Sequence, residues 1–240
     1  LVGRYVQHEA RVLADVADLG LISALHPNVI DLCDHGNSTW LITDSLRAPG
    51  HFVTRRFGRA HQAFLAEMVA KTTRPSAAAT LSELKASFSF LKPALDQSWT
   101  NRFAGGTDLI GLDIVTQPVA LAHGDFTPWN VFMAGDKLYV FDWEYAHWGY
   151  PVGYDQVHFL LSNDPATPAE ALLDKVEKEI ACAWYGADRQ RASRAILFSL
   201  LLHAEFYFRR AFEAGDTAPN WDKDQRRALM IDILLNRIKH

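Results

Sequence analysis

Two short apolar segments joined by Gly135 and Asp136 constrain the fold more than any other part of the chain. Residues 131–134 and 137–141 are rich in the aliphatic and aromatic side chains that suit strands. A two-residue connection that contains glycine is typical of a tight hairpin, because such turns need backbone angles that glycine adopts readily. The sequence therefore predicts an antiparallel β-hairpin that turns at Gly135-Asp136.

The turn also fixes the register of this hairpin. Counting back along both strands places Asn130 opposite Phe141, and therefore beside Asp142, at the open end. Cross-strand neighbours lie about 5 Å apart, which lets an amide oxygen and a carboxylate share one divalent cation. Asp125 lies on the loop that enters the same end, where a carboxylate could orient a substrate hydroxyl and accept its proton.

The order and spacing of these polar residues form a motif. Taken alone, an aspartate near a turn is usually a turn or capping residue. Together, Asp125, Asn130 and Asp142 follow the order and spacing of the catalytic Asp, the metal-binding Asn and the metal-binding Asp of protein kinases, with His123-Gly124-Asp125 in place of His-Arg-Asp. The conjunction predicts a kinase-like site.

The segment from 119 to 161 resembles the aminoglycoside phosphotransferase and choline kinase-like family. The resemblance rests on His-Gly-Asp, four further residues and Asn, followed by Asp-Trp-Glu. It implies that Asp125 is the catalytic base of a kinase that uses ATP, and that Asn130 and Asp142 bind Mg²⁺. It also implies that His123 stabilises the catalytic loop.

Two further acidic residues gain an expected role from this resemblance. Glu144, two positions after Asp142, occupies a place where the family often carries a second acid near the metal or the substrate. Asp155 resembles the family's buried aspartate, which accepts backbone hydrogen bonds from the catalytic loop. A helix N-cap is the alternative interpretation of Asp155.

Upstream of the hairpin, the sequence predicts a helix and a second pair of strands. Apolar side chains recur at helical spacing over residues 7–19, and Gly20 supplies a stop. Segments 28–33 and 39–43 are β-prone and are predicted to pair. This order resembles the back half of the small nucleotide-binding lobe in the family.

Glu9 and the segment after the second strand are the candidate nucleotide-binding residues of this region. The resemblance implies that Glu9 pairs with a phosphate-binding lysine, and the alternative is an ordinary first-turn glutamate favoured by the helix dipole. Residues 43–46 would form the hinge between lobes. Kinase hinges bind adenine through backbone groups, so we expect the Asp44 carbonyl and the Leu46 amide to do so.

The chain departs from the family at its start. Only residues 1–7 precede the Glu9 region, and they contain neither a glycine-rich phosphate loop nor a strand lysine; the first lysine is Lys71. Two explanations stay open. The sequence is part of a longer polypeptide, or the protein is a kinase relative that has lost its phosphate clamp.

The fold class predicted is α+β and protein-kinase-like. Residues 1–46 would form an incomplete small lobe with the hinge, and residues 47–240 a mostly helical large lobe that carries the catalytic hairpin. The segment 101–111, which contains Gly105 and Gly106, is predicted to be a loop. Helices are predicted over residues 56–71, 80–95, 154–161, 167–185 and 188–213, and over 221–238 with Asn220 as cap.

Composition excludes several classes of partner. A net charge of −4 without a broad basic stripe argues against nucleic acid. No apolar run approaches the roughly 20 residues of a membrane span, so no membrane partner is expected. Cys33 and Cys182 are far apart and lack metal-ligand spacing, and we expect buried, unpaired thiols in a cytoplasmic protein.

The function predicted is transfer of the γ-phosphoryl group of ATP to a hydroxyl of a small molecule, namely a sugar, an aminoglycoside or an amino alcohol. Many aromatic side chains, Trp129 among them, follow the catalytic loop. They could cage a quaternary ammonium group or stack on a sugar ring, or they could fill the core. The competing prediction is a pseudokinase or binding module without the phosphate clamp. The sequence leaves the oligomeric state open.

Overall fold

The computed structural model describes residues 2–47, 54–164, 166–216 and 225–239. The chain divides into two compact units. The first consists of Leu1–Thr73, Ala120–Trp148 and His158–Pro165, and the second of Arg74–Val119, Gly149–Val157 and Ala166–His240. The boundary after residue 46 between a small and a large lobe stays a prediction.

Among its described residues, the first unit contains two complete helices and two small sheets. Its elements are α1 (Val2–Asp18), β1 (Ala24–Leu25), β2 (Val29–His35), β3 (Ser38–Thr43), α2 (Arg59–Thr72), β5 (Val131–Ala134) and β6 (Lys137–Val140). One sheet is the hairpin of β2 and β3. The other has the strand order β1-β6-β5, with β1 parallel to β6 and β5 antiparallel to β6.

Helix α1 begins earlier than the apolar pattern predicts. Its buried stripe includes Val12, Leu13 and Val16, and the chain turns at Gly20, whose φ is +57°. The predicted pattern covers only residues 7–19, but tertiary contacts also stabilise the start of the helix. The ring of Tyr5 packs edge-on against Tyr145, with 5.8 Å between centroids, and His8 Nε2 lies 2.7 Å from the Ala146 carbonyl oxygen.

Helices predominate in the second unit, and α7 is their centre. A nearly continuous buried surface on α7 packs against α3, α4, α6 and α8. The helices are α3 (Ala78–Leu91), α4 (Gln97–Gly111), α6 (Ala169–Trp184), α7 (Arg189–Glu213) and α8 (Gln225–Lys239), with short 3₁₀ turns at Lys92–Ala94 and Ile114–Thr116. Three elements have residues in both units: β4 (Val119–Ala122), β7 (His147–Pro151) and α5 (Tyr154–Asn163).

The loop predicted over residues 101–111 is wrong, because this segment lies inside α4. The Asp96 side chain caps the helix by accepting a hydrogen bond from the Trp99 amide at 2.8 Å. Packing favours glycine at position 106, because a Cβ there would come within 2.5 Å of Leu201 Cδ1 on α7. Gly106 therefore lies at a close approach of α4 and α7, and the packing of α4 outweighs the low helix propensity of glycine.

The remaining helix predictions agree to within a few residues where the structure describes them. Helix α6 begins at Ala169, two residues after the start of the predicted range 167–185, and its N-cap has no side-chain hydrogen bond. Asn220 and Trp221, predicted to begin the last helix, lie outside the described residues. Cys33 and Cys182 are unpaired as predicted, but Cys33 is partly exposed and Cys182 is exposed, so their predicted burial is wrong. In the described ranges, every helix is too short or too polar to cross a bilayer.

Candidate active site

The catalytic hairpin has the predicted turn and register. Ala134 pairs with Lys137 across Gly135-Asp136, and the pairing continues to Val131 opposite Val140. One step further, the Phe141 amide donates a hydrogen bond to the Asn130 carbonyl oxygen at 3.1 Å. Asn130 and Phe141 are therefore the last pair at the open end of the hairpin, and Asp142 follows this pair directly.

Asp125 and Asn130 form one hydrogen-bonded pair within the loop. Asn130 Nδ2 donates to the Asp125 carboxylate oxygen Oδ2 at 2.9 Å and to the Asp125 backbone oxygen at 3.0 Å. Since both contacts use the amide nitrogen, the amide oxygen Oδ1 of Asn130 points to other partners. An oxygen with fixed direction on a buried side chain is suited to bind a hard cation.

Asp125 remains ionised despite its burial. Burial opposes its negative charge, but hydrogen bonds from His158 and Asn130 stabilise that charge, so the pKa of Asp125 lies below its ordinary value. His158 Nε2 lies 3.0 Å from Asp125 Oδ1. Sequence reasoning missed His158, although a histidine among the apolar residues of helix α5 is itself a signal.

His123 connects the two halves of the site. Its ring is fully buried, and its Nδ1 accepts a hydrogen bond from the Asp125 amide at 3.3 Å. The ring proton therefore lies on Nε2, which donates a hydrogen bond to the Phe141 carbonyl oxygen at 2.9 Å. Burial lowers the pKa of His123 to about 4. The neutral ring therefore ties the backbone of Asp125 to the strand end that precedes Asp142.

Gly124 is the position in this loop that only glycine can occupy. Its φ is +86°, and a Cβ would lie 2.1 Å from the Tyr145 carbonyl oxygen. A backbone atom cannot move aside as a flexible side chain can. The catalytic loop therefore lies directly against the backbone that follows Asp142, which explains glycine between His123 and Asp125.

Asp142 and two further acids concentrate negative charge beside the loop. Asp142 has φ of +69°, a left-handed conformation that aspartate tolerates better than most residues. Burial and the charges of Glu144 and Asp125 raise the pKa of Asp142. Within the described ranges, no lysine or arginine forms an ion pair with Asp142. Among the described residues, no ion pair therefore offsets the charge of Asp142.

Glu9 joins this acidic group from helix α1. Its Oε1 accepts a hydrogen bond from the Trp143 amide at 3.1 Å, and burial, together with the charges of Asp142 and Glu144, raises the pKa of Glu9. Glu9 lies well inside α1, so the alternative interpretation as a first-turn glutamate is wrong. Lys71, the first lysine, instead donates to the Leu19 carbonyl oxygen at 2.7 Å.

A cavity of about 310 Å³ opens in the first unit beside these acids. Asp44 lines it with Thr43 and Ser45 from the predicted hinge, whereas Leu46 is not among the lining residues and is 43% exposed. Arg47, the residue after the hinge, also lines the cavity. The remaining walls are formed by Glu9, Pro27, Phe132, Tyr139, Phe141 and Asp142. Its size and its aromatic walls with a few polar groups suit a small ligand.

The donor set fits Mg²⁺. Asn130 and Asp142 offer the hard oxygen atoms that this ion prefers, next to negative charge that a cation would neutralise. Within the described ranges, no group of three or more His, Cys, Asp or Glu side chains surrounds a common point. Mg²⁺ typically takes only one or two carboxylates and completes its shell with substrate phosphates and water.

Asp155 lies in the first turn of α5 and is 6% exposed. The helix begins at Tyr154, so Asp155 follows the N-cap position and the capping interpretation is not supported. Its implied role at the catalytic loop stays a prediction.

The buried histidines predict a loss of stability in mild acid. His61, 3% exposed, accepts a hydrogen bond from the Gly58 amide, and burial lowers its pKa to about 4, like that of His123. The unfolded chain protonates both near pH 6.5, so it binds about two more protons than the folded chain between pH 6.5 and 4. Their stabilising contribution is complete above pH 6.5 and declines as the pH falls towards 4.

Urea unfolding at pH 7.5, 6.5 and 5.5 measures this decline. The raised pKa values of Glu9 and Asp142 act in the opposite sense, so comparison with His61→Gln isolates one histidine. The variant is expected to show a shallower fall in the free energy of unfolding. An identical slope in both proteins would contradict the assignment of His61.

Comparison with known proteins identifies the family. The model of the phosphotransferase enzyme family matches residues 4–192, whereas no curated protein sequence matches this chain. The GDP complex of wild-type aminoglycoside 2'-phosphotransferase-IIIa is similar with a TM-score of 0.58 at 13% identity, over 98% of this chain and 82% of that one. The GDP and kanamycin complex of an APH(2") enzyme is similar with a TM-score of 0.58 at 14% identity, over 98% of this chain and 82% of that one. These likenesses confirm the α+β, protein-kinase-like fold, and the family match shows that this chain belongs to the phosphotransferase enzyme family.

Proposed function

We propose that this small-molecule kinase transfers the γ-phosphoryl group of ATP to a hydroxyl, with Asp125 as catalytic base and Asn130 and Asp142 as the Mg²⁺ ligands. The observation that carries this proposal is the bond from Asn130 Nδ2 to Asp125 Oδ2 at the end of the hairpin where Asp142 begins. It joins a base and a cation-binding oxygen in one rigid unit, which in-line phosphoryl transfer requires.

The chain's own residues supply positioning and one proton transfer. Asp125 accepts the proton of the acceptor hydroxyl as that oxygen forms its bond to the γ-phosphorus and the bond from phosphorus to the leaving oxygen of ADP breaks. Asn130 holds the carboxylate of Asp125 in place, and His123 holds its backbone. When bound, Mg²⁺ offsets the charge of the phosphates.

The nucleotide belongs in the 310 Å³ cavity. Phe132, Tyr139 and Phe141 line the cavity with aromatic rings that suit a purine. Asp142 lines the same cavity, so the phosphates would point towards this proposed metal ligand. Both similar structures are GDP complexes, which supports the use of a nucleotide by this chain. The Asp44 carbonyl and the Leu46 amide remain the proposed adenine contacts, and Glu144 the proposed acid near the metal or substrate.

A cytoplasmic location completes this part of the proposal. Unpaired Cys33 and Cys182 suit a reducing compartment, and ATP is abundant there.

Trp129 is the proposed contact to the acceptor. Between Phe126 and Asn130 it alone is exposed, at 57%, while Trp143 and Tyr185 are buried in the core. An exposed tryptophan four residues after the proposed base can stack on a sugar ring or attract an amine. Kanamycin in one similar structure supports an amino sugar as acceptor.

Trp129→Ala is expected to raise the KM for the acceptor about tenfold, because stacking or cation–π contact contributes about 1–1.5 kcal/mol. The KM for ATP should not change. Trp40→Ala, at a tryptophan that is 58% exposed on β3, is the matched control and should leave both constants unchanged. A variant at Trp129 with an unchanged acceptor KM would remove this residue from the acceptor site.

Transfer of labelled phosphate tests the function itself. The purified protein is incubated with Mg²⁺ and γ-labelled ATP, or GTP in parallel, and with kanamycin, glucosamine or choline. Label on any acceptor supports the proposal. Nucleotide binding without transfer to any of them would favour the pseudokinase alternative. The cavity supports that alternative, because the described residues that line it include Arg47 but no lysine.

A further inference from the structure

Asp125 has a second side-chain partner that the reaction described above does not use. His158, on helix α5, is 7% exposed, and its Nε2 lies 3.0 Å from Asp125 Oδ1. A carboxylate oxygen only accepts hydrogen bonds, so this contact requires a proton on Nε2. The histidine is therefore a donor to one oxygen of the base.

The two oxygens of Asp125 are held from different elements. Oδ1 accepts from His158, and Oδ2 accepts from Asn130 Nδ2 at 2.9 Å. The terminal torsion of an aspartate has a broad energy minimum, so one bond leaves the carboxylate plane free to rock. Two bonds on opposite oxygens fix that plane, and each oxygen keeps a lone pair for an incoming hydroxyl.

We propose that His158 is a positioning residue that fixes the carboxylate plane of Asp125 for the acceptor hydroxyl. This inference rests on the proposed function. Asn130 alone cannot fix the carboxylate of Asp125, because the same side-chain amide is the proposed cation ligand. Any movement of this amide on cation binding would move the carboxylate to which it is hydrogen-bonded. The buried ring of His158 supplies a second tie that does not depend on the metal.

Two substitutions separate positioning from packing. His158→Phe keeps a ring and removes the donor, whereas His158→Gln keeps an N–H donor of similar reach. We expect His158→Phe to lower kcat 10- to 100-fold, the range seen when a supporting hydrogen bond or an alignment is lost. The KM for ATP and for the acceptor should stay within about twofold, and His158→Gln should restore most of kcat.

Ser162→Ala is the control on the same helix. Its hydroxyl donates to the His158 carbonyl oxygen at 2.7 Å, so this variant disturbs α5 locally without touching the ring. We expect unchanged kcat. Unchanged kcat in His158→Phe, or an equal loss of kcat and of ATP binding in His158→Phe and His158→Gln, would overturn the inference.

A second measurement does not depend on turnover. In a long-range ¹H–¹⁵N spectrum of histidine-labelled protein, the His158 signals, assigned with His158→Gln, should show a proton on Nε2 that shifts in Asp125→Asn and not in Asp44→Asn. An Nε2 without a proton would overturn the inference. Absence of any phosphoryl transfer by the unmodified protein, with the NMR contact present, would count against the proposed function alone.

Discussion

Asp125→Ala is expected to reduce phosphoryl transfer about a thousandfold, within the range that general-base catalysis contributes. Asp125 does not line the 310 Å³ cavity, so the affinity for ATP should change by no more than about twofold. The substitution removes the proposed base and also frees the Asn130 side chain from one of its two hydrogen bonds to Asp125. Steady-state kinetics and nucleotide titration measure the two effects separately.

Two variants control this experiment. Asp125→Asn keeps the size of the side chain but cannot accept a proton at the amide nitrogen, and should be nearly as inactive as the alanine variant. Asp136→Ala, at the exposed turn at the other end of the same hairpin, should leave turnover unchanged. Turnover above about one tenth of the original in Asp125→Asn would exclude Asp125 as the base.

Asp142→Asn is expected to abolish the response of the enzyme to Mg²⁺ at ordinary concentrations. Asparagine tolerates the left-handed conformation at φ of +69°, so the variant tests the charge and not the backbone. Loss of one carboxylate ligand should raise the half-saturating Mg²⁺ concentration at least about tenfold and lower kcat about a hundredfold.

The Mg²⁺ dependence of initial rates measures this effect. Glu144→Gln is the matched control, because its charge acts on Asp142 while its own role as a ligand is only a proposal. It should have the smaller effect of the two. If Asp142→Asn keeps the original Mg²⁺ response, Asp142 does not bind the metal.

The catalytic hairpin could be predicted because its determinants are local. A two-residue turn fixes the pairing of Ala134 with Lys137, and period-two geometry carries that register to Asn130 and Phe141 without further information. The spacing of the polar residues then defines the site. Such reasoning needs no knowledge of the rest of the chain.

The features that sequence reasoning missed depend on tertiary contacts. Helix α4 was predicted to be a loop because Gly105 and Gly106 weaken a helix, and the close approach of Leu201 that favours Gly106 cannot be read from local sequence. The contact of His158 with Asp125 joins residues 33 positions apart. The additional turns at the start of α1 depend equally on distant partners such as Tyr145.

Both the sequence and the described structure leave Glu9 without the phosphate-binding lysine that the family resemblance implies as its partner. Its carboxylate meets the Trp143 amide and the charges of Asp142 and Glu144, and within the described ranges it has no ion pair with a lysine or arginine. Burial and the two neighbouring negative charges raise the pKa of Glu9. A cation bound beside Asp142 would lower the pKa of Glu9 as well, which ties the state of this residue to the metal site.

Calorimetric titration of the chain with ATP, in Mg²⁺ and in excess chelator, tests the central claim most directly. We expect saturable binding in Mg²⁺ that weakens at least about tenfold in chelator, and a Mg²⁺ effect that disappears in Asp142→Asn. Binding that is equal with and without Mg²⁺, or equal in both proteins, would contradict the account. It would show that the acids around Asp142 do not form the metal site of a phosphotransferase.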